Sequence, residues 1–289
     1  MYVLSRNAGE LTSSLVAGEV IVITPSRGWQ PLRLRLLWSF RELGYFIVWR
    51  ELKVRYKQTI LGASWAVLQP VLMTVIFTIV FGRWIGLGTD GSPYAVFVFA
   101  AMVPWNFFSQ GLQQGSRSLT SGATLISRVY FPRLLLPLGS VLSYLLDLLI
   151  ASGILLVLMA FYGYTPALAA LAFPLFLLLL LVTTLGVSFV LGAANAQYRD
   201  IQYVTPFIAQ LWFFATPIVY PTSVVPDVVE PFYALNPMVS VLGGVRWMFL
   251  EGPSPFGIGF AVSAVSAVAM FLGGTFYFRR MERSFADVI

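Results

Sequence analysis

The sequence predicts an all-α integral membrane protein: six transmembrane helices, an N-terminal amphipathic interface helix, and short external helices between the fifth and sixth spans. Three observations carry that expectation. Hydrophobic residues make up 58% of the 289 positions against 10% charged, a balance foreign to soluble domains. Six apolar runs approach or exceed the roughly 20 residues that a helix needs to cross a hydrocarbon core about 30 Å thick. Sixteen of the 18 lysines and arginines fall on one side of those runs, all except Arg83 and Arg246.

The spans are 65–87, 94–115, 134–161, 168–194, 204–220 and 256–278. Their even number places both termini on one side, and the positive-inside rule makes that side the cytoplasm. The chain divides into an N-terminal cytoplasmic segment (1–30), the interface helix (31–60) and a six-helix membrane domain (61–289). The first 30 residues lack a long apolar core and a small-residue cleavage site, so no cleaved signal peptide is expected. The net charge of +6 reads as membrane orientation rather than nucleic-acid binding, since no soluble basic domain carries it.

Before the first span, Leu36, Phe40, Leu43, Ile47 and Val54 fall on one helical stripe, while Arg41, Glu42, Glu51 and Lys53 lie elsewhere around the wheel. Such a helix lies in the cytoplasmic interface, with Trp38, Tyr45 and Trp49 at headgroup depth. Its basic end, Arg55-Tyr56-Lys57, runs straight into the first span and fixes its orientation. The connector 117–133 is longer than a tight turn requires. Leu119, Ala123 and Ile126 can form a short helical face there, which reads either as a handle for another protein or as a solvated connector. In the external segment 221–255, the apolar run 238–250 is too short to cross. It reads as half-inserted helices roofing the outer face, which shelters Val239, Leu242, Val245 and Met248 from water.

Chemistry is mostly excluded. Cysteine and histidine are both absent, which removes disulfides, thiolate metal sites and the near-neutral proton shuttle. No G-x-x-x-x-G-K-[ST] run occurs, so any ATP is hydrolysed on another polypeptide. No catalytic, metal-ligating or cofactor-binding residue is expected. Asp147 is the lone acid deep in a span, and satisfaction by Ser143, Tyr144 or an arginine is the expected reading over a proton relay. Gly139, Gly153, Gly186 and Gly192 are expected at close helix crossings. A secondary transporter would show repeats and several buried ionisable groups, and a membrane glycosyltransferase would show clustered carboxylates. Neither pattern is present in the sequence.

The run Lys53-Val54-Arg55-Tyr56-Lys57-Gln58-Thr59, Leu61-Gly62, Trp65 and Gln69-Pro70 resembles the start of the first span in permease subunits of ABC-2-type polysaccharide exporters. Further motifs follow in that family's order: Val103-Pro104-Trp105-Asn106-Phe107-Phe108, Tyr130-Phe131-Pro132-Arg133 with Pro137, Tyr198-Arg199-Asp200-Ile201, and Leu235-Asn236-Pro237-Met238. One departure is Gly122, where the family pattern carries Asn. The resemblance runs from about residue 36 to the C-terminus. It implies a homodimeric half-transporter in the bacterial inner membrane, paired with two copies of a separate ABC ATPase that binds ATP and Mg. Its cargo would be an undecaprenyl-linked polysaccharide such as O-antigen, capsule or teichoic acid; exporters of drugs or small lipids share the architecture.

By the same resemblance, the connector (about 117–131) is the coupling helix, with Leu119, Leu125, Ile126 and Arg128 toward the ATPase. The segment 221–255 forms gate helices that include Phe232, Tyr233 and Trp247. A sugar polymer has apolar CH faces and many hydroxyls, so its conduit needs aromatic planes, neutral hydrogen-bonding groups and few fixed charges. Phe77, Phe81, Trp84, Trp212 and Phe213 are the expected channel aromatics. Arg55 and Lys57 at the cytoplasmic rim are expected to receive the lipid pyrophosphate, although attraction to anionic headgroups explains them equally well.

Overall fold

The computed structural model describes residues 34–57, 64–89, 91–165, 168–226, 228–282 and 285, all within one compact unit. The expected segment 1–30 and the Gln58, Leu61 and Gly62 positions of the first-span motif lie outside the described residues. The described elements are helical: α1 (Leu34–Ser39), α2 (Arg41–Lys57), α3 (Ser64–Phe77), α4 (Tyr94–Ser121), α5 (Ala123–Arg128), α6 (Leu135–Leu142), α7 (Leu145–Phe161), α8 (Phe173–Gln197), α9 (Ile201–Phe214), α10 (Glu230–Ala234), α11 (Pro237–Leu250) and α12 (Ile258–Met281). A wider π-helical turn, Thr78–Trp84, extends α3, and a 3₁₀ turn, Leu168–Ala172, leads into α8.

Among the described residues, five segments are long and apolar enough to cross a membrane: Val67–Trp84, Tyr94–Ser121, Leu135–Phe161, Leu168–Gln197 and Ile258–Met281. They coincide with five of the six expected spans. The remaining one, 204–220, holds only the 14-residue α9, about 21 Å at 1.5 Å per residue. Pro217 has no N–H to continue the helix, and the chain runs on through a buried non-helical stretch, Thr216 to Val219.

That stretch would be untenable in a membrane with bare carbonyls, because no water is present to satisfy them. Side chains do so instead. The Tyr220 hydroxyl donates to Phe214 O (3.1 Å), Asn236 Nδ2 to Ala215 O (3.2 Å), Arg246 Nη2 to Ile218 O (2.9 Å) and the Tyr94 hydroxyl to Val219 O (2.6 Å). Arg246, one of the two cations expected on the external side, is 7% exposed on the buried helix α11, with its guanidinium 3.6 Å from the Phe97 ring centre. The run 238–250, expected to be too short to cross, forms the 14-residue α11. Leu242, Val245 and Met248 are buried there, and Val239 is half-buried.

Helix α4 is the hub, packed on α3, α6, α7, α8, α9 and α11. Glycines set the closest crossing, as small residues do where lipid offers no hydrophobic drive for association. Between α8 and α12, a Cβ on Gly274 would lie 2.1 Å from the Gly186 carbonyl oxygen, so no side chain fits without parting the helices. Gly153, expected at a crossing, faces open space.

Replacing Arg246 with Leu leaves the Ile218 carbonyl buried without that donor, which costs on the order of 1–3 kcal/mol. Tyr94→Phe removes one neutral bond and should cost less. Thermal unfolding of the purified chain in detergent should rank the two variants in that order. Equal midpoints for Arg246→Leu and the wild type would refute the carbonyl-capping role.

Candidate functional site

The interface helix meets the bundle along one face. Ile47 of α2, 2% exposed, fills a notch at Gly139 of α6, where a Cβ would come within 2.6 Å of its Cγ2. Four and eight residues further along the same face come Glu51 and Arg55. Phe40 and Leu43 take the protein side as the periodicity expects, whereas Leu36 is half-buried beside Leu37, which packs on the core, and Val54 is 73% exposed and does not belong to the packed stripe. The exposed face instead carries Trp38, Tyr45, Phe46 and Trp49, apolar rings suited to headgroup depth.

Arg55 is fully engaged. Its Nη1 donates to Asp147 Oδ2 at 2.7 Å and its Nη2 to Ser143 Oγ at 2.8 Å, while the guanidinium lies 3.5 Å from the Tyr144 ring centre. The Tyr56 hydroxyl donates to the other oxygen, Asp147 Oδ1. Asp147 is thus satisfied by an arginine, one of the expected partners, while Ser143 and Tyr144 hold the arginine itself. Beside this pair, Gln114 Nε2 of α4 donates to Glu51 Oε2 at 3.1 Å. The cluster therefore ties the interface helix to the third span and places one more polar contact on the second. Lys57, at the end of α2, is exposed to whatever borders the helix.

Four of the five expected channel aromatics come together in one seam. Phe77 of α3 stacks on Phe213 of α9 (centroids 5.7 Å apart, 29° between planes), and Phe81 lies 5.9 Å from Phe77. Trp105 of α4 meets Phe213 edge-on at 5.4 Å, and Phe108 meets Trp212 at 5.0 Å. Trp84, at the end of the π turn, is 78% exposed and points to the surface. Trp212 Nε1 also donates to Asn236 Oδ1 at 2.9 Å, and the same oxygen caps α11 by accepting from the Met238 N–H. Asn236 Nδ2 reaches Thr216 Oγ1 at 2.9 Å as well. The Leu235-Asn236-Pro237 motif is thus a helix cap and a lock on the end of α9.

The three expected gate residues do not converge. Phe232 is 70% exposed, the Tyr233 hydroxyl pairs with the Tyr220 hydroxyl at 2.6 Å, and Trp247 packs edge-on against Phe256 at 5.2 Å. In the connector, Leu119 is wholly buried and faces the bundle, so it shares no outward face with Ile126. Leu125 and Ile126 are half-buried on α5, and the outward positions are Thr124, Ser127 and Arg128. A Cβ at Gly122 would sit 2.9 Å from both Leu136 Cδ1 and Ser118 O, which accounts for glycine at the position where the family pattern carries Asn. The connector is clasped to the end of α12, where Arg133 donates from its backbone N–H to Glu282 Oε1 (3.3 Å) and from Nη1 to Glu282 O (2.6 Å). Burial pushes the Glu282 carboxyl above the usual carboxylate range, against the opposing pull of Arg133 and Arg279.

Residues 43–250 match the ABC-2 type transporter family. The chain belongs to that family. Relatives extend the likeness along almost the whole ABC-2 chain. The O-antigen export system permease protein RfbA of Myxococcus xanthus is 32% identical over 89% of this chain and 98% of its own length. A protein of the same name from Klebsiella pneumoniae is 26% identical over 83% of this chain and 92% of its own. The polysialic acid transport protein KpsM of Escherichia coli is 24% identical over 81% and 91%. Like them, this ABC-2 chain is a transport permease, and its apolar helices fit a multi-pass membrane protein.

A double-mutant cycle tests the Arg55 junction. Arg55→Ala and Asp147→Ala each strand a partner, and each should cost about 2 kcal/mol, below the range for fully buried pairs because both side chains keep some solvent contact. The double variant should cost clearly less than the two single costs added together. Additive losses in detergent unfolding would show that the pair is not coupled.

Proposed function

We propose that this chain is the membrane-spanning half of an ABC exporter that carries a lipid-linked polysaccharide, such as O-antigen, across the bacterial cytoplasmic membrane. ATP and Mg would be bound by a separate ABC ATPase. The reading is carried by one observation: similarity over nearly their whole length to permeases named for O-antigen export and for polysialic acid transport. Two copies of the chain would pair with two ATPase subunits. The aromatic seam of α3, α4 and α9 supports a carbohydrate path, since flat rings match the CH faces of sugars.

Within this reading α9 and the buried stretch to Tyr220 together make the fifth of six crossings, and the side chains that cap its carbonyls are what make such a crossing tolerable. Both termini then lie in the cytoplasm. Segments α10 and α11 form the external cover, where Phe232, Tyr233 and Trp247 would seal the path. Arg55 would meet the pyrophosphate of the carrier lipid only after exchanging Asp147 for it, whereas Lys57 is exposed from the outset. The connector would dock the ATPase through the outward side of α5, with Leu125 and Ile126 shaping the helix behind the contact.

Thr124→Asp combined with Arg128→Glu changes only exposed positions of α5. Reversing the charge of such a contact should weaken co-purification of the ATPase at least about tenfold while the permease reaches the membrane at its normal level. Undiminished pull-down would reject the docking assignment.

Because the chain has no cysteine, single cysteines at 223 and 280 report the topology directly. A membrane-impermeant thiol reagent should label Ser223→Cys in cells with an opened outer membrane and leave Arg280→Cys untouched until the cytoplasmic membrane is broken. Labelling at 280 in intact spheroplasts would overturn the six-crossing topology.

A further inference from the structure

Helix α4 packs on both α7 and α8, while α7 and α8 hardly touch each other. Where these three helices approach α11, they leave a half-open cavity of about 20 Å³. Pro104 of α4, Leu148 and Leu155 of α7, Leu180 of α8, and Val241 and Val245 of α11 line it, and all six are buried. Ser152 of α7 and Leu177 of α8, also in the lining, are half-buried and mark its open side. The faces to either side of that opening are apolar and exposed, with Leu149 and Leu156 on α7 and Leu175 and Leu178 on α8. The cavity is preformed, because Phe176 of α8 presses its ring so close to Gly244 of α11 that no Cβ fits between them.

Two properties decide what such a cavity takes. Ser152 is the one polar side chain in its lining, whereas a buried water needs about two to four polar partners. Water and sugar hydroxyls are therefore both poor occupants. The other property is depth. Leu148 is the central residue of the 27-residue apolar segment Leu135–Phe161, and Pro104 and Leu180 lie within about four residues, or about 6 Å, of the middle of theirs. In a multi-pass membrane protein that level falls in the middle of the hydrocarbon core, where the neighbours of an opening between helices are the ends of acyl chains.

We propose that the cavity is a lipid site that holds the methyl end of one phospholipid acyl chain. Its volume suits about one or two carbon groups, and the methylenes before them would lie between Ser152 and Leu177. Lipid tails are as apolar as leucine, so what favours the seat is contact: a void forfeits the dispersion attraction of its lining, and a chain end restores it. The seated carbons would also complete the packing of a helix that does not cross. Helix α11 packs on α4, α8 and α12 but barely on α7, and the chain end would bridge that gap. None of the lining residues belongs to the aromatic seam of α3, α4 and α9, and the site requires only the membrane character of the protein.

The test uses the full chain in phosphatidylcholine vesicles that include a phospholipid with an alkyl diazirine at the methyl end of one acyl chain. After illumination, peptide mass mapping should find adducts on Val241, Val245 or Phe249 of α11 and none on Leu242 or Met248, which are buried on the same helix outside the cavity. Adducts on the exposed Leu149 report bulk lipid. Ser152→Leu fills the cavity from α7 and Leu177→Phe from α8. Each should lower the α11 adduct at least about fivefold against that at Leu149, because a filled core admits no further carbon. No α11 adduct in the wild type would make the cavity a packing void and overturn the proposal, whichever variants fold. Adducts that persist on α11 in both variants would overturn it too. Loss of the α11 adduct to undecaprenyl phosphate, but not to an equal amount of unlabelled phospholipid, would assign the site to a polyprenyl carrier. Efficient disulfide formation between two copies of the Ser152→Cys variant would place a second chain there; either result also rejects the proposal.

Discussion

The structure depends on satisfying the carbonyls freed where α9 stops short. A helix of 14 residues leaves its last carbonyls and the following buried, non-helical stretch without helical partners, and each such group left bare in an apolar setting costs several kcal/mol. Four side chains from three places answer: Tyr94 at the start of α4, Tyr220 just past the break, and Asn236 and Arg246 on α11 and its cap. This requirement explains why α11 packs into the bundle beside the break. Only from within can Arg246 reach Ile218, and its charge is offset there by the face of Phe97. The same requirement fixes Asn236, which caps α11, holds Trp212 and reaches the backbone of Ala215 at once. In turn α12 holds that loop, through Ser263 to Ala234 O and Ser266 to Leu235 O, both at 2.7 Å.

At the opposite end of the bundle the ordering element is an ion pair. Arg55 and Asp147 are 92 positions apart in sequence and each would be expensive alone in this setting. Together they orient α2 against the third span, while Ile47 in the Gly139 notch sets the distance. The second clasp, Arg133 with Glu282, ties the connector to the end of α12. Any movement of the connector is therefore felt by the last span, and any movement of α2 by the third. Rigid contacts of this kind let a displacement at this end of the bundle reach the spans rather than dissipate in loops.

Much of this was legible in the sequence because the strongest signals are one-dimensional. Five spans announce themselves by length and apolarity, the short α11 by a run too brief to cross, and the aromatic seam by its residue types. The break in α9 was less visible. Hydropathy continues unbroken through Thr216 to Tyr220, and Pro217 signals the stop only if its missing N–H is weighed above the apolar run. The partner of Arg246 was hidden for a related reason: counting charges by loop assigns a side of the membrane, whereas the bond it makes is to a carbonyl 28 residues away. Leu119 and Val54 show the limit of periodicity, which finds a stripe but not the angle at which the bundle receives it. Pairings such as Arg55 with Asp147 or Arg133 with Glu282 exist only in three dimensions, although an acid within a span already demanded a cation from somewhere.

The polar stripe of α4, from Asn106 through Gln110 and Gln113 to Arg117, shows how these constraints meet in one helix. The buried faces of α4 are committed to six neighbours, so the single remaining face is where the sequence is free to serve something other than packing. A sequence selected only for stability in lipid would fill that face with leucine or phenylalanine, as α7 does with Leu149, Leu156 and Val157. Instead it places amides there for three turns and then aromatic rings, where α3 and α9 close together. The break in α9 bears on this as well, since the locks at Asn236 and Arg246 hold the helix end that carries Trp212 and Phe213. Backbone satisfaction at the end of α9 therefore also positions the aromatic seam that α9 shares with α3 and α4.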